Sequence, residues 1–192
     1  IPRGKENTMD SDLQREVERL HRKAFTVDAH FDLTYELANR KERGETKVVE
    51  SSYLPQFIAG SFDLIVSAIF IHDYYLPEMG LRRALDQIAC LHKEIDESPG
   101  QFCLCRTTGE ALEAKERGEV ALFLSLEGAE PLQNDINLLR IFYELGVRGL
   151  GLVWSRRNMV GDGVFFHSRK GGAPSGISHF GARVIEEAER LG

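Results

Sequence analysis

Four segments constrain this chain more than any other feature: FTVDAHFD (25–32), SFDLIVSAIFI (61–71), EVALFLSLEG (119–128) and VRGLGLVWS (147–155). Each is apolar along most of its length rather than at alternate positions, and helical periodicity fills the intervals between them. Strands apolar on both faces that alternate with helices form parallel βα units. Four such units make half of an eight-stranded barrel, a fold that usually takes about 250 residues. The fold class read from the pattern is therefore α/β, with residues 1–192 as one domain, the front part of a longer (β/α)8 barrel. The chain stops at RLG, where a helix has ended and a strand is due. It carries no internal repeat or domain boundary.

The helices are legible from their stripes and caps. A first helix is predicted over about 11–24, near-capped by Ser11 or Asp12, with Leu13, Val17, Leu20 and Ala24 on one face. RKERGETK (40–47) reads as a loop. A helix over about 79–97 has the stripe Leu81, Leu85, Ile88, Leu91 or His92, and Ile95. Thr107, three residues before Glu110, is a capping box, and Gly118 stops that helix. Asn134 or Asp135 opens a helix that Gly146 closes, and Ser178 opens a last one striped Phe180, Val184, Ala188 and Leu191.

The chemistry gathers where strands finish. In an extended strand Asp28, His30 and Asp32 share one face, and His30 and Asp32 lie at the C-terminal end, where parallel barrels carry their reacting groups. An imidazole and a carboxylate two residues apart reach one cation, and zinc accepts both donors. Glu127 follows seven uncharged residues, again at a strand's C-terminal end. A carboxylate buried there beside Asp32 is destabilised without a cation, because like charges repel and desolvate poorly. The plainer reading is a charge leaving the core as the loop begins. Trp154 either packs in the core or walls a substrate pocket. Arg156 and Arg157 are candidates for a substrate carboxylate, and His72 with Asp73 forms a weaker pair. His167 and His179 read as surface residues.

Composition excludes several classes. A net charge of -6 with acidic and basic residues interspersed shows no basic stripe, so nucleic acid is not an expected partner. The longest apolar run, LIVSAIFI, is far short of the roughly 20 residues a bilayer requires, so no membrane partner is expected. Cys90, Cys103 and Cys105 read as reduced thiols, and the polar N-terminus as no secretory signal, which makes the cytoplasm the expected location. No G-x-G-x-x-G follows the first strand, which disfavours a dinucleotide site.

VDAHFDL, LSLEGAEPLQNDINLLRIFYELGVRGLGLVWSRRN and GISHFGARVIEEAERLG resemble the membrane (renal) dipeptidase family, peptidase family M19, from about residue 25 to the end. The stretch from Leu124 to Asn158 carries the resemblance. It implies a (β/α)8 barrel of the metal-dependent hydrolase type and two Zn²⁺ ions per complete site. By motif, His30 and Asp32 match ligands of one zinc, and Glu127 matches the carboxylate bridging both. The remaining ligands match histidines on later strands, beyond Gly192. Trp154 stands where better-known members carry a substrate-contacting histidine, which implies a different substrate preference. Family members commonly pair, so a homodimer is implied.

Three functions follow as expectations. The leading one is a zinc-dependent dipeptidase acting on small dipeptides, including those with a C-terminal D-residue, through a metal-bridging hydroxide. A second is a metal-dependent amidohydrolase acting on N-acyl amino acids or cyclic amides, for which Trp154 supplies an apolar wall. A third is a non-catalytic binding barrel.

Overall fold

The computed structural model describes residues 11–164 and 175–192. His167 and most of the KGGAPSG loop lie outside them. In chain order the elements are α1 (Ser11–Lys23), β1 (Val27–Phe31), α2 (Leu33–Glu42), a π-helical turn (Val49–Tyr53), α3 (Leu54–Ala59) and β2 (Leu64–Ile69). A short 3-10 turn (Asp73–Tyr75) leads to α4 (Gly80–Glu97), β3 (Phe102–Leu104), α5 (Thr108–Arg117) and β4 (Val120–Leu126). A second 3-10 turn (Glu130–Leu132) precedes α6 (Asn137–Glu144), β5 (Val147–Leu150) and α7 (His179–Leu191).

All strand pairs are parallel. The central pair, β2 on β4, runs without a slip from Leu64↔Ala121 to Ile69↔Leu126. β1 lies outside β2, and β5 pairs with the C-terminal half of β4. The four strands read from the sequence are thus consecutive neighbours, an arc of the barrel order. β3 is an addition to that reading. It takes the β4 edge at Val120–Leu122, below the point where β5 joins at Leu124, so two short strands share one edge. Only three residues long, β3 leaves too brief an apolar run to be distinguished from loop.

The two faces of the central strands differ: Ile65, Ser67 and Ile69 share a buried face with Leu122, Leu124 and Leu126, whereas Val66, Phe123 and Ser125 on the other face are only half-buried. Ile65, Ile69, Leu122, Leu124 and Leu126 are buried together with Leu33 and Leu37 of α2, Ile88 and Leu91 of α4, and Phe142 of α6. α2 is a second addition. Its buried residues Leu33, Thr34, Leu37 and Ala38 recur at helical spacing, but its charged tail reads as loop in the sequence. α4 turns slightly from its predicted stripe. Ala84, Gln87, Ile88, Leu91 and Glu94 face inward, whereas Leu85 and His92 are exposed. The stripe of α1 is formed as predicted but Leu13, Val17 and Leu20 are exposed. The predicted cap of α5 is present: Thr107 Oγ1 accepts the Glu110 N–H at 3.1 Å, and Gly118 ends the helix at φ +75.

A buried polar cluster fixes the junction from β1 into α2. The Thr34 hydroxyl donates to the Ala68 carbonyl at 2.6 Å, and the Thr34 N–H donates to Ser67 Oγ at 3.2 Å. Gln87 of α4 donates to the Phe70 carbonyl at 2.7 Å. A buried group that loses its partner costs the full desolvation penalty. Thr34→Val, which keeps the shape and removes the hydroxyl, is expected to lower unfolding free energy by about 1–3 kcal/mol, read from the urea midpoint at unchanged slope.

Candidate metal centre

His30, Asp32 and Glu127 meet at the C-terminal ends of β1 and β4. Each offers one ligand atom, and these atoms lie within 4.8 Å of one another; they form the one such cluster of three among the described residues. His30 Nε2 is 3.7 Å from Asp32 Oδ1 and 3.6 Å from Glu127 Oε1. Those spacings are long for hydrogen bonds. They match two ligands of one tetrahedral ion, which lie about 3.4 Å apart when each is about 2.1 Å from the metal.

Strict alternation does not produce this meeting. β1 pairs with β2 through Asp28↔Ile65 and then Phe31↔Ser67, three steps against two, so a bulge falls at Ala29 and His30. Phe31 thereby packs edge-on against Tyr53 and Phe57 at centroid distances of 5.7 and 5.6 Å. Asp28 does not join the ligand cluster; its Oδ1 accepts the His30 N–H at 3.1 Å. Asp32 stands just ahead of α2, the position where an aspartate usually accepts a helix N–H. Its side chain makes no such bond and faces His30.

Glu127 is the buried member, its side chain 14% exposed against 55% for His30 and 56% for Asp32. Its N–H donates to the Ile69 carbonyl at 3.2 Å, carrying the β2–β4 ladder one step past the strand. Burial raises the Glu127 carboxyl above its ordinary value, the Asp32 charge raises it further, and His30 and Arg156 only partly oppose them. The donor set fits a divalent cation: two carboxylates and an imidazole of borderline softness converge where one carboxylate is disfavoured as a bare charge.

The loop after Glu127 is clamped. Arg156 pairs with Asp73, donates to the Ile71 carbonyl at 2.7 Å, and lies 3.2 Å from Glu130 Oε1. One guanidinium therefore joins the loops that follow β2, β4 and β5. Glu130 folds back over Gly128 so closely that a Cβ at Gly128 would collide with its carboxylate.

The family model for membrane dipeptidase (peptidase family M19) matches residues 14–192. The chain belongs to this family. It is 29% identical over 112 residues to Dipeptidase verJ of Clonostachys rogersoniana, covering 58% of this chain and 28% of that one. Among solved structures, dipeptidase AC, a metallopeptidase of family M19, superposes with TM-score 0.75 at 26% identity, over 87% of this chain and 54% of that one. A metallopeptidase from Rhodobacter sphaeroides, liganded with a phosphinate mimic of L-Ala-D-Ala, shares the fold with TM-score 0.74 at 24% identity, over 88% of this chain and 56% of that one. The chain thus spans little more than half the length of these structures, and the parallel α/β arc corresponds to part of their barrel fold.

The other candidate residues of this M19 chain fall into different places. β5 ends at Leu150, so Trp154 lies in the following loop rather than on a strand terminus; it is 46% exposed. Arg156 is engaged as described, and Arg157 pairs with Asp162, so both arginines weighed as candidates for a substrate carboxylate serve the loop. His72 caps the turn at Asp73–Tyr75, and Asp73 is held by Arg156, so the two do not join the ligand cluster. His179 is exposed in the first turn of α7. The three-loop clamp was not visible in the sequence; its one local trace is the glycine between Glu127 and Glu130. No helix among the described residues is long and apolar enough to cross a membrane.

Two tests follow from the ion pairs of this loop. Arg156→Met leaves Glu130 buried without its cation and is expected to cost roughly 1–3 kcal/mol, measured by urea denaturation. Asp162 is held down to about 2 by Arg157, aided by the Ser175 and Gly176 N–H groups. A depressed carboxyl contributes stability above its ordinary 3.8 that is lost as pH falls through about 2. The stability gap between wild type and Asp162→Asn is therefore expected to be constant above about pH 5 and to close towards pH 2, followed by denaturant titration at each pH.

Proposed function

We propose that the protein containing this chain is a zinc-dependent dipeptidase that hydrolyses the peptide bond of small dipeptides. The observation that carries this reading is the meeting of His30, Asp32 and Glu127 at the strand ends of a membrane dipeptidase family chain. Zinc held there supplies a water of lowered pKa as nucleophile and an electrophile for the scissile carbonyl. In this reading His30, Asp32 and Glu127 would hold the metal.

The chain's own residues do the positioning. The β1 bulge places the His30 ring beside Asp32 and Glu127, and the buried Thr34 cluster holds the backbone on which Asp32 stands. Glu127 is fixed by its bond to Ile69 and by the Arg156 clamp beyond it, so its carboxylate meets the ion with little reorganisation. Low exposure around Glu127 limits competing solvent. Trp154 borders the same cleft and in this reading is the substrate-contacting residue. A dipeptide ending in a D-residue is among the proposed substrates.

A second reading, an amidohydrolase acting on N-acyl amino acids, draws on the half-exposed indole of Trp154, which suits an apolar acyl group. A panel of L,L- and L,D-dipeptides against N-acetyl and N-acyl amino acids separates the two. Faster release from the dipeptides is expected; turnover of the N-acyl compounds alone overturns the leading reading.

Glu127→Gln keeps the shape and deletes the charge. It is expected to weaken zinc binding by at least about 100-fold, measured by chelator competition. In chelator-treated protein the same variant is expected to be at least as stable as wild type, because the buried charge facing Asp32 is gone.

A further inference from the structure

We propose that Cys103 and Cys105 form a dithiol site for a monosubstituted trivalent arsenical, separate from the candidate metal centre. The two Sγ atoms lie 3.6 Å apart. Cys103 is on β3, and Cys105, just past its end, still joins the ladder by donating its N–H to the Leu122 carbonyl at 2.9 Å. Side chains two positions apart in extended backbone share a face, so the thiols are held side by side. Cys105 is buried with Leu64, Ala111, Ala114 and Ala121, whereas Cys103 is half-buried at the margin of that cluster. A group that bonds to Cys103 thus has the second sulfur within reach. The register of Cys103 with Ala121 places the pair near the opposite end of β4 from Glu127.

Sulfur spacing and donor number select the ligand. With metal–sulfur bonds of about 2.3 Å, two thiolates of a tetrahedral centre lie about 3.7 Å apart, and a linear pair needs about 4.6 Å. The cysteines therefore suit a bent centre. They supply two donors only: no third His, Cys, Asp or Glu joins them in a ligand cluster among the described residues, whereas structural zinc takes four. A monosubstituted arsenical uses two sulfurs and keeps its organic group on the third bond. A disulfide fits less well, because two residues of strand span about 6.6 Å, close to the roughly 6.8 Å upper end of bridged Cα separations.

Protons decide against a divalent ion. Burial and the neighbouring Glu119 carboxylate push the Cys103 thiol up to about 12, and burial raises Cys105 as well. A divalent ion has to release both protons against that preference. An arsenoxide takes them itself: two S–H bonds break, two As–S bonds form, and the oxygen leaves as water with both protons, arsenic staying trivalent. No oxidant is needed, and the neutral product suits a half-buried site. Arg117, 3.7 Å from Cys103 Sγ, keeps its pairing with Glu119 at 2.7 Å.

The test uses the full-length zinc-loaded protein and phenylarsine oxide, with adducts counted by intact mass. In excess glutathione, wild type is expected to keep one more adduct per chain than Cys103→Ser, and dithiothreitol is expected to remove it. The glutathione concentration that strips half of this adduct is expected to fall at least about 100-fold in Cys103→Ser, where one sulfur no longer chelates. Cys105→Ala is expected to lose the resistant adduct too, while Cys90→Ser, on α4, keeps it. Cys103→Ser changes a half-buried side chain and is expected to fold, checked by its urea midpoint. The site does not depend on the dipeptidase reading, so Glu127→Gln is expected to bind the arsenical as wild type does, whether or not any dipeptide is cleaved. Retention of the adduct in Cys103→Ser or Cys105→Ala, its loss in Cys90→Ser or Glu127→Gln, or complete stripping of wild type by glutathione overturns the site.

Discussion

The β2–β4 ladder sets the level at which everything else in the site stands. Six residue pairs run in unbroken parallel register; Ile65, Ser67, Ala68, Ile69, Ala121, Leu122, Leu124 and Leu126 are buried, and Val66, Phe123 and Ser125 are half-buried. Such a pair has no freedom to slip, because a shift of one residue would turn the face packed under the helices to the more open side. Both strands therefore finish together, Ile69 opposite Leu126. Glu127 takes one more ladder bond before the backbone turns away. A carboxylate is thus delivered half into the core by the stiffest part of the molecule.

Against that fixed carboxylate, β1 is adjustable. Its bulge swings His30 and Asp32 towards Glu127 while Phe31 is returned to the aromatic packing with Tyr53 and Phe57. The result conflicts with the interests of folding, since two carboxylates face one another beside a buried strand end and Asp32 forgoes its helix cap. Local conflicts of this kind concentrate at functional sites, where a ligand resolves them. The surrounding structure holds the conflict in place through Thr34 beneath Asp32 and Arg156 beyond Glu127.

The arginine clamp changes how the loop motif SRRN is understood. Two adjacent guanidiniums near a proposed site look like anchors for a substrate carboxylate, yet one joins three loops and the other closes its own loop on Asp162. Their charge still shapes the site at short range. Arg156 lowers the Glu127 carboxyl against its burial.

Much of this was legible in the chain itself because it is encoded locally. Apolar runs separated by helical stripes fix the βα order, Thr107 and Gly118 bound α5, and the charge-free approach to Glu127 marks a strand end. The same patterns put His30, Asp32 and Glu127 at the ends of strands. Tertiary structure decided what no local period records: the bulge in β1, the three-residue β3 sharing an edge with β5, and the early end of β5 that leaves Trp154 in a loop. It also decided the partners of Arg156, since Asp73 lies 83 residues earlier in the chain. Periodicity reports which face of an element is apolar; which distant loops then touch depends on the register and twist of the assembled sheet.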